Sequence, residues 1–275
     1  VLQKQLEKNS FEVIVIDNAS TDNTKDIVQK FSGISYLYEP NPGLSIARNL
    51  GFSVASGEWI GYLDDDAMAH SNLLDRAQWI IENYDFDAFG GVYYPWYKYG
   101  RPKWLPTNFG SKVPLRSDIG VISDGFLSGN IMFFRKKVLA ACGGFSTNLG
   151  MTEQIGYGED DDVQVRLRAM GFKIGFDPKL AIDHCVMPHK LKLYWHLKSE
   201  YAKFRDRQSF LKQYSKVASL LGLIKSALGV GIKIPLGLVK LIFSRNYYWQ
   251  HIVLDAGIPV ARRLGVIRAV FAKKK

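Results

Sequence analysis

The sequence predicts an α/β fold on a mostly parallel sheet, followed by a basic helical region. Three observations carry that expectation. Short β-branched runs alternate with helical patterns and turn residues across positions 13–66. Carboxylates stand at the ends of the apolar runs, Asp17 after the first and Asp64, Asp65 and Asp66 after the third. Charge is also divided unevenly. Residues 1–189 hold 18 Lys and Arg against 23 Asp and Glu, whereas residues 190–275 hold 18 against 3. The net charge of +10 is therefore an acidic body at −5 joined to a tail at +15.

Each element has its own reason. Residues 13–16 are a Val-Ile-Val-Ile run, a buried parallel strand ending in Asp17 and Asn18. Residues 18–24 are rich in helix-capping types, and a helix is expected over 24–31. A second strand follows at 34–38. Asn41-Pro42-Gly43 breaks the chain before a helix over 44–56, and residues 59–63 form the third strand. Residues 85–125 read as an irregular aromatic loop, with Tyr93, Tyr94, Trp96, Tyr97, Tyr99 and Trp104 among several Gly and Pro. Aromatic faces stack on sugars but also fill cores, so both roles stay open. Ser128-Gly129-Asn130 leads into a strand at 131–134, and Gly143-Gly144 is a turn. Four acidic residues, 159–162, open a short helix that Gly171 closes. Two short strands at 174–176 and 180–182 lead to Asp183 and His184.

Composition narrows the function classes. At 47% apolar and 23% charged residues the chain is globular rather than disordered. Cys142 and Cys185 are too few for a disulfide framework or a thiolate zinc site, which fits a reducing compartment. In open α/β sheets ligands bind beyond the carboxyl ends of the strands, where Asp17 and residues 64–66 fall. Asp17 alone also suits a helix cap, and residues 159–162 also suit a helix N-terminus. Asp66 and His184 offer oxygen and imidazole ligands to Mn²⁺ or Mg²⁺.

The runs Glu12-Val-Ile-Val-Ile-Asp-Asn-Ala-Ser-Thr-Asp22, Asn41-Pro-Gly-Leu-Ser-Ile-Ala-Arg-Asn-Leu-Gly51 and Gly57-Glu-Trp-Ile-Gly-Tyr-Leu-Asp-Asp-Asp-Ala67 resemble, in succession, a family 2 glycosyltransferase of the GT-A fold. Residues 158–171, with Glu159 and Asp160, resemble the family's acidic motif, and Asp183-His184 its late histidine. The resemblance covers residues 1–205 and implies an inverting transferase with a nucleotide-diphosphate sugar donor, a UDP-sugar by default. It implies Asp160 as general base, Asp17 at the base, Arg48 at the nucleotide, Asp64 at the ribose, and Asp66 with His184 at the metal. Asn18, Asp65, Asn130 and Glu159 stand beside these as further donor contacts. Against the family pattern the chain is expected to start in the helix after a first strand that it lacks. The Gln-X-X-Arg-Trp signature of processive synthases is missing, so one sugar is transferred per encounter.

Residues 206–275 form the basic region. An apolar stretch at 217–243 is interrupted by Lys225, Lys233, Lys240 and Pro235. The lysine spacing suggests an interfacial helix on an anionic membrane, at the cytoplasmic face of the cell membrane. A packed helical subdomain is the alternative. No recognition module accompanies the charge, so nucleic acid is not expected as a partner. The acceptor is expected to be a saccharide or lipid-linked hydroxyl of surface polysaccharide synthesis. A non-catalytic docking or carbohydrate-binding scaffold and a sugar nucleotidyltransferase are the competing readings.

Overall fold

β1 (Val13–Asn18) pairs in parallel with β2 (Ile34–Glu39) through the short crossover helix α1 (Thr24–Val28), and α2 (Leu44–Val54) follows. These two strands form a sheet of their own. A second sheet of six strands contains β3 (Trp59–Leu63), β4 (Ala67–Ala69), β5 (Ala88–Trp96), β6 (Gly120–Val121), β7 (Ile131–Arg135) and β8 (Ile174–Cys185). Its order is β3-β7-β5-β8-β4, with β6 also on β8. β5 and β8 run parallel and the other ladders antiparallel, which makes this sheet mixed.

The computed structural model describes residues 11–152, 154–206 and 215–272. The helix expected at the start of the chain falls on residues 1–10, outside that set. Described residues within 1–96, 110–153 and 159–185 form one compact unit, and those within 97–109, 154–158 and 186–275 form another.

In the first unit, both faces of the large sheet are covered. Met132 and Phe134 join a core with Val163 and Leu167 of α5 (Glu159–Ala169) and Val138 of α4 (Lys136–Ala141). Ile131 and Phe133, pointing the other way, join Leu73, Ala77 and Ile80 of α3 (Leu73–Asn83). A strand covered on both sides needs a continuous apolar run, which residues 131–134 supply. Each such buried side chain contributes about 1.5–3 kcal/mol.

Two segments differ from the sequence reading. Residues 88–96, expected within an irregular loop, form the central strand β5. Its glycines are close-approach sites, not turns. A Cβ on Gly91 would stand 1.8 Å from the Leu180 carbonyl oxygen, and one on Gly90 2.7 Å from that of Ile131. The two strands expected at 174–176 and 180–182 are one, β8. Its register with β5 jumps between Gly90 and Val92, leaving Asp177-Pro178-Lys179-Leu180 out of that ladder. Asp177, 1% exposed, is held there by Arg76 Nε at 2.6 Å and the Lys179 N–H at 3.0 Å.

The second unit is helical: α6 (Leu193–Asp206), α7 (Lys216–Phe243) and α8 (Trp249–Phe271). α8 packs on both α6 and α7. Gly265 permits its approach to α6, since a Cβ there would lie 2.3 Å from the Tyr201 carbonyl oxygen. Trp104 and Phe109 belong to this unit. Both rings pack on His196, and the Trp104 carbonyl accepts from His251 Nε2 at 2.8 Å. Those two aromatics therefore fill a core.

Candidate active site

The polar centre of the first unit is Arg48. It projects from the buried face of α2 and is 5% exposed. Burying a lone guanidinium is costly, and carboxylates offset that cost here. Nη1 donates to Glu159 Oε1 at 2.8 Å, and Nη2 donates to Asp64 Oδ1 at 3.1 Å and to the Gly129 carbonyl at 3.3 Å. Burial would lower the Arg48 pKa, but Asp64, Glu159 and Asp160 outweigh it and raise the value. Burial raises the Asp64 carboxyl despite Arg48, with Asp66 and Asp65 adding to the rise. Burial, then Asp160, pushes Glu159 up as well.

Each acidic residue at the start of α5 has a different task. Glu159 pairs with Arg48. Asp160 Oδ2 accepts the Gly129 N–H at 2.9 Å, and its Oδ1 accepts the Asp161 N–H at 2.9 Å. Asp161 is buried, while Asp162 takes Arg166 through Nε at 3.0 Å and Nη2 at 2.8 Å. Gln164, one helical turn beyond Asp160, locks the incoming loop. Its Oε1 accepts the Leu127 N–H at 2.7 Å and its Nε2 donates to the Asp160 carbonyl at 2.8 Å.

Strand pairing brings Asp66 to His184. Ala67 of β4 is in register with His184 of β8, and the Cys185 N–H donates to the Asp66 carbonyl at 2.7 Å. Asp66 Oδ2 then lies 3.2 Å from His184 Nε2. A carboxylate oxygen and an imidazole nitrogen so close suit adjacent ligands of one hard divalent cation. Among the described residues no group of three or more His, Cys, Asp or Glu is arranged to hold an ion. This donor set fits a cation whose other ligands come from substrate phosphate and water.

The remaining predicted residues fall nearby or apart. Asp65 is exposed, and Asn130 is half-buried directly after Gly129. Asp17 and Asn18 form a separate station at the end of β1. Burial would raise Asp17, but hydrogen bonds from the Ser20 N–H at 2.9 Å and the Tyr36 hydroxyl at 2.6 Å hold it low. The same bond pushes Tyr36 up to about 12. Asn18 braces the Asn-Pro-Gly turn: Nδ2 donates to the Asn41 carbonyl at 2.7 Å, and Oδ1 accepts the Gly43 N–H at 2.6 Å.

Two residues of this centre, Gly129 and Gln164, carried no predicted task, and the sequence marks Tyr93 only as one of several loop aromatics that could stack on a sugar or fill a core. Gly129 lies between Arg48 and Asp160, Gln164 fixes the loop before it, and Tyr93 stands edge-on to His184 at 5.3 Å. Burial raises the Tyr93 hydroxyl, with Asp160, Asp64 and Asp66 contributing. A glycine flanked by Ser and Asn ahead of a strand was the available signal for the first.

Comparison with known proteins agrees with this architecture. Residues 1–143, just over half of the chain, match the family model described as Glycosyl transferase family 2. The fold is GT-A, and the chain belongs to glycosyl transferase family 2. Glycosyltransferase GlyG of Streptococcus pneumoniae serotype 4 is 33% identical over 96 residues, 33% of this chain and 32% of that protein. Glycosyltransferase AglE of Haloferax volcanii is 36% identical over 89 residues, 30% and 29% of the two chains. The chain thus spans about a third of the length of these curated relatives. Succinoglycan biosynthesis protein ExoM of Rhizobium meliloti is 25% identical over 210 residues, 74% of this chain and 65% of ExoM. Among solved structures, the mannosyltransferase PcManGT of Pyrobaculum calidifontis, in complex with GDP-Man and Mn²⁺, superposes with a TM-score of 0.61 at 14% identity, covering 98% of this chain and 82% of that one. S. aureus TarS 1–349 in complex with UDP-GlcNAc gives 0.52 at 19%, covering 74% and 59%.

Proposed function

We propose that this protein is an inverting, metal-dependent transferase that moves a sugar from a nucleotide-diphosphate donor to an acceptor hydroxyl. The observation that carries the reading is the convergence of Asp64, Glu159 and Asp160 on buried Arg48, with Asp66, in the turn before β4, beside His184 of β8. In this reading Asp17 and Asn18 attend the base, and Arg48 holds the nucleotide end. Asp64 meets the ribose, while Asp65, Asn130 and Glu159 line the donor. Asp160 takes the proton from the acceptor hydroxyl as its oxygen attacks the anomeric carbon. The bond from that carbon to the diphosphate breaks on the opposite side, so one displacement inverts the configuration. Mn²⁺ or Mg²⁺ held by Asp66 and His184 would offset charge on the departing diphosphate.

The acceptor in this reading is a saccharide or lipid-linked hydroxyl in surface polysaccharide synthesis. The +15 charge of residues 190–275 supports a station on the anionic inner face of the cell membrane. PcManGT and TarS were solved with different nucleotides, so the donor base is left to experiment. Calorimetry with UDP, GDP and dTDP, with and without Mn²⁺, tests the reading on this chain and on Asp66→Ala. Metal-dependent binding of one nucleotide, lost in the variant, is expected. Binding of none, or binding indifferent to Mn²⁺ and to Asp66, overturns it.

A further inference from the structure

Helix α7 is built inside out. The two residues it buries are small, Ser219 and Gly237. Ser219 is fully buried, and a Cβ on Gly237 would lie 2.8 Å from Ile252. Gly222 lies against the Arg263 guanidinium. Lys233 Nζ donates to the Asp255 carbonyl at 2.9 Å, and Lys240 sits over the Tyr247 ring. Two of the lysines expected to reach for headgroups are therefore engaged by α8 and by the turn before it.

The outward side is apolar. Val217, Leu221, Ile224, Leu228, Ile232 and Ile242 follow a spacing of threes, fours and their sums, which places them on one stripe. Each is more than half exposed. Leu220, Leu236 and Phe243 widen the stripe beyond the narrow seam two paired helices need. A helix bathed in water turns its apolar face inward, so this outward face calls for an apolar covering. An apolar groove of about 550 Å³ opens within this unit, lined by Leu197, Val230, Ile234, Val260 and Leu264.

Two alternatives fit less well. A second copy would bring two strongly basic surfaces together, whereas an anionic leaflet attracts them. A spanning α7 is long enough, at 28 residues, and is the one such helix among the described residues. But α8 packs along it and carries Asp255, Arg262 and Arg263, so spanning would take those charges and Lys225 into the bilayer.

We propose that the second unit is a monotopic anchor. α7 lies in the plane of an anionic leaflet with its stripe among the acyl chains, and lipid tails of that leaflet fill the groove. This rests on the membrane station proposed above and adds its geometry.

The experiment uses the full chain with sealed vesicles of phosphatidylglycerol and phosphatidylcholine, and with phosphatidylcholine alone. Flotation with the anionic vesicles is expected to fall at least tenfold in the Leu228→Glu/Ile232→Glu variant, with its circular dichroism unchanged. Single Lys216→Cys and Ser244→Cys variants are then treated with a membrane-impermeant maleimide, against the unsubstituted chain as background. Labelling at both ends from outside is expected. Flotation with one end protected overturns the in-plane geometry alone. No flotation, with or without dimers in sedimentation velocity, overturns the anchor and the membrane station together. Nucleotide calorimetry in vesicle-free buffer reads the transferase function separately.

Discussion

Arg48 and Asp160 meet through a single residue, Gly129, whose carbonyl accepts from the guanidinium at 3.3 Å and whose N–H donates to the carboxylate at 2.9 Å. A Cβ there would stand 2.8 Å from Arg48 Nη2 and 3.4 Å from Asp160 Oδ2. Gly129→Ala therefore displaces the pairing without touching the core. Nucleotide release from the donor found by calorimetry is expected to fall about 100-fold, the scale of a 1 Å misplacement. Melting should shift by only a few degrees. A variant with undiminished turnover would show that this contact does not position Asp160.

Arg48 should matter for folding as well as for activity. Arg48→Met leaves Glu159 buried and Asp64 half-buried beside an apolar chain, a loss on the order of 3–5 kcal/mol. Urea unfolding measures it directly. A loss below about 1 kcal/mol would mean that water reaches these carboxylates and the pairing is energetically slight.

Glu159 gives a pH signature. Burial and Asp160 raise its carboxyl above the ordinary 4.5, so the folded chain keeps a proton that the unfolded chain has released. Its contribution to stability therefore declines as pH rises above 4.5 through the raised value. Glu159→Gln removes that proton exchange. The difference in unfolding free energy between variant and parent, followed from pH 4 upward, should move in the variant's favour. A flat difference would refute the assignment.

The sequence announces those elements whose residues answer to one demand. β1, β2, β3 and β7 are dominated by apolar or aromatic residues, and all four are where the pattern puts them. β5 is hidden because Gly90, Gly91 and Pro95 look like loop residues, yet the two glycines exist to let neighbouring carbonyls approach. β4 has three residues and no pattern, although its register is what sets Asp66 beside His184. In the site, Asp17 and residues 64–66 were legible because charge after an apolar strand is conspicuous, whereas Arg48, Glu159 and Asp160 stand on helices and were assigned by the family resemblance. Gly129 works through its backbone and Tyr93 through its place on a strand, and neither leaves a mark in composition. The lysine spacing of α7 was equally legible, but not that Lys233 and Lys240 turn inward.

The surplus of carboxylate over guanidinium also governs the order in which the site fills. Asp64, Asp66, Glu159 and Asp160 all lie in the field around Arg48 and Tyr93, and among the described residues Arg48 is the guanidinium that hydrogen-bonds Asp64 and Glu159. If the proposed transferase reading holds, a nucleoside diphosphate approaching alone would meet net repulsion there, and a divalent cation alone would meet attraction. Each ligand would then raise the affinity of the other, and linkage requires the two factors to be equal. Titrating nucleotide at several fixed Mn²⁺ concentrations, then Mn²⁺ at several fixed nucleotide concentrations, should return one common coupling factor. At low free Mn²⁺, donor occupancy would then follow the supply of the cation as closely as the supply of the sugar.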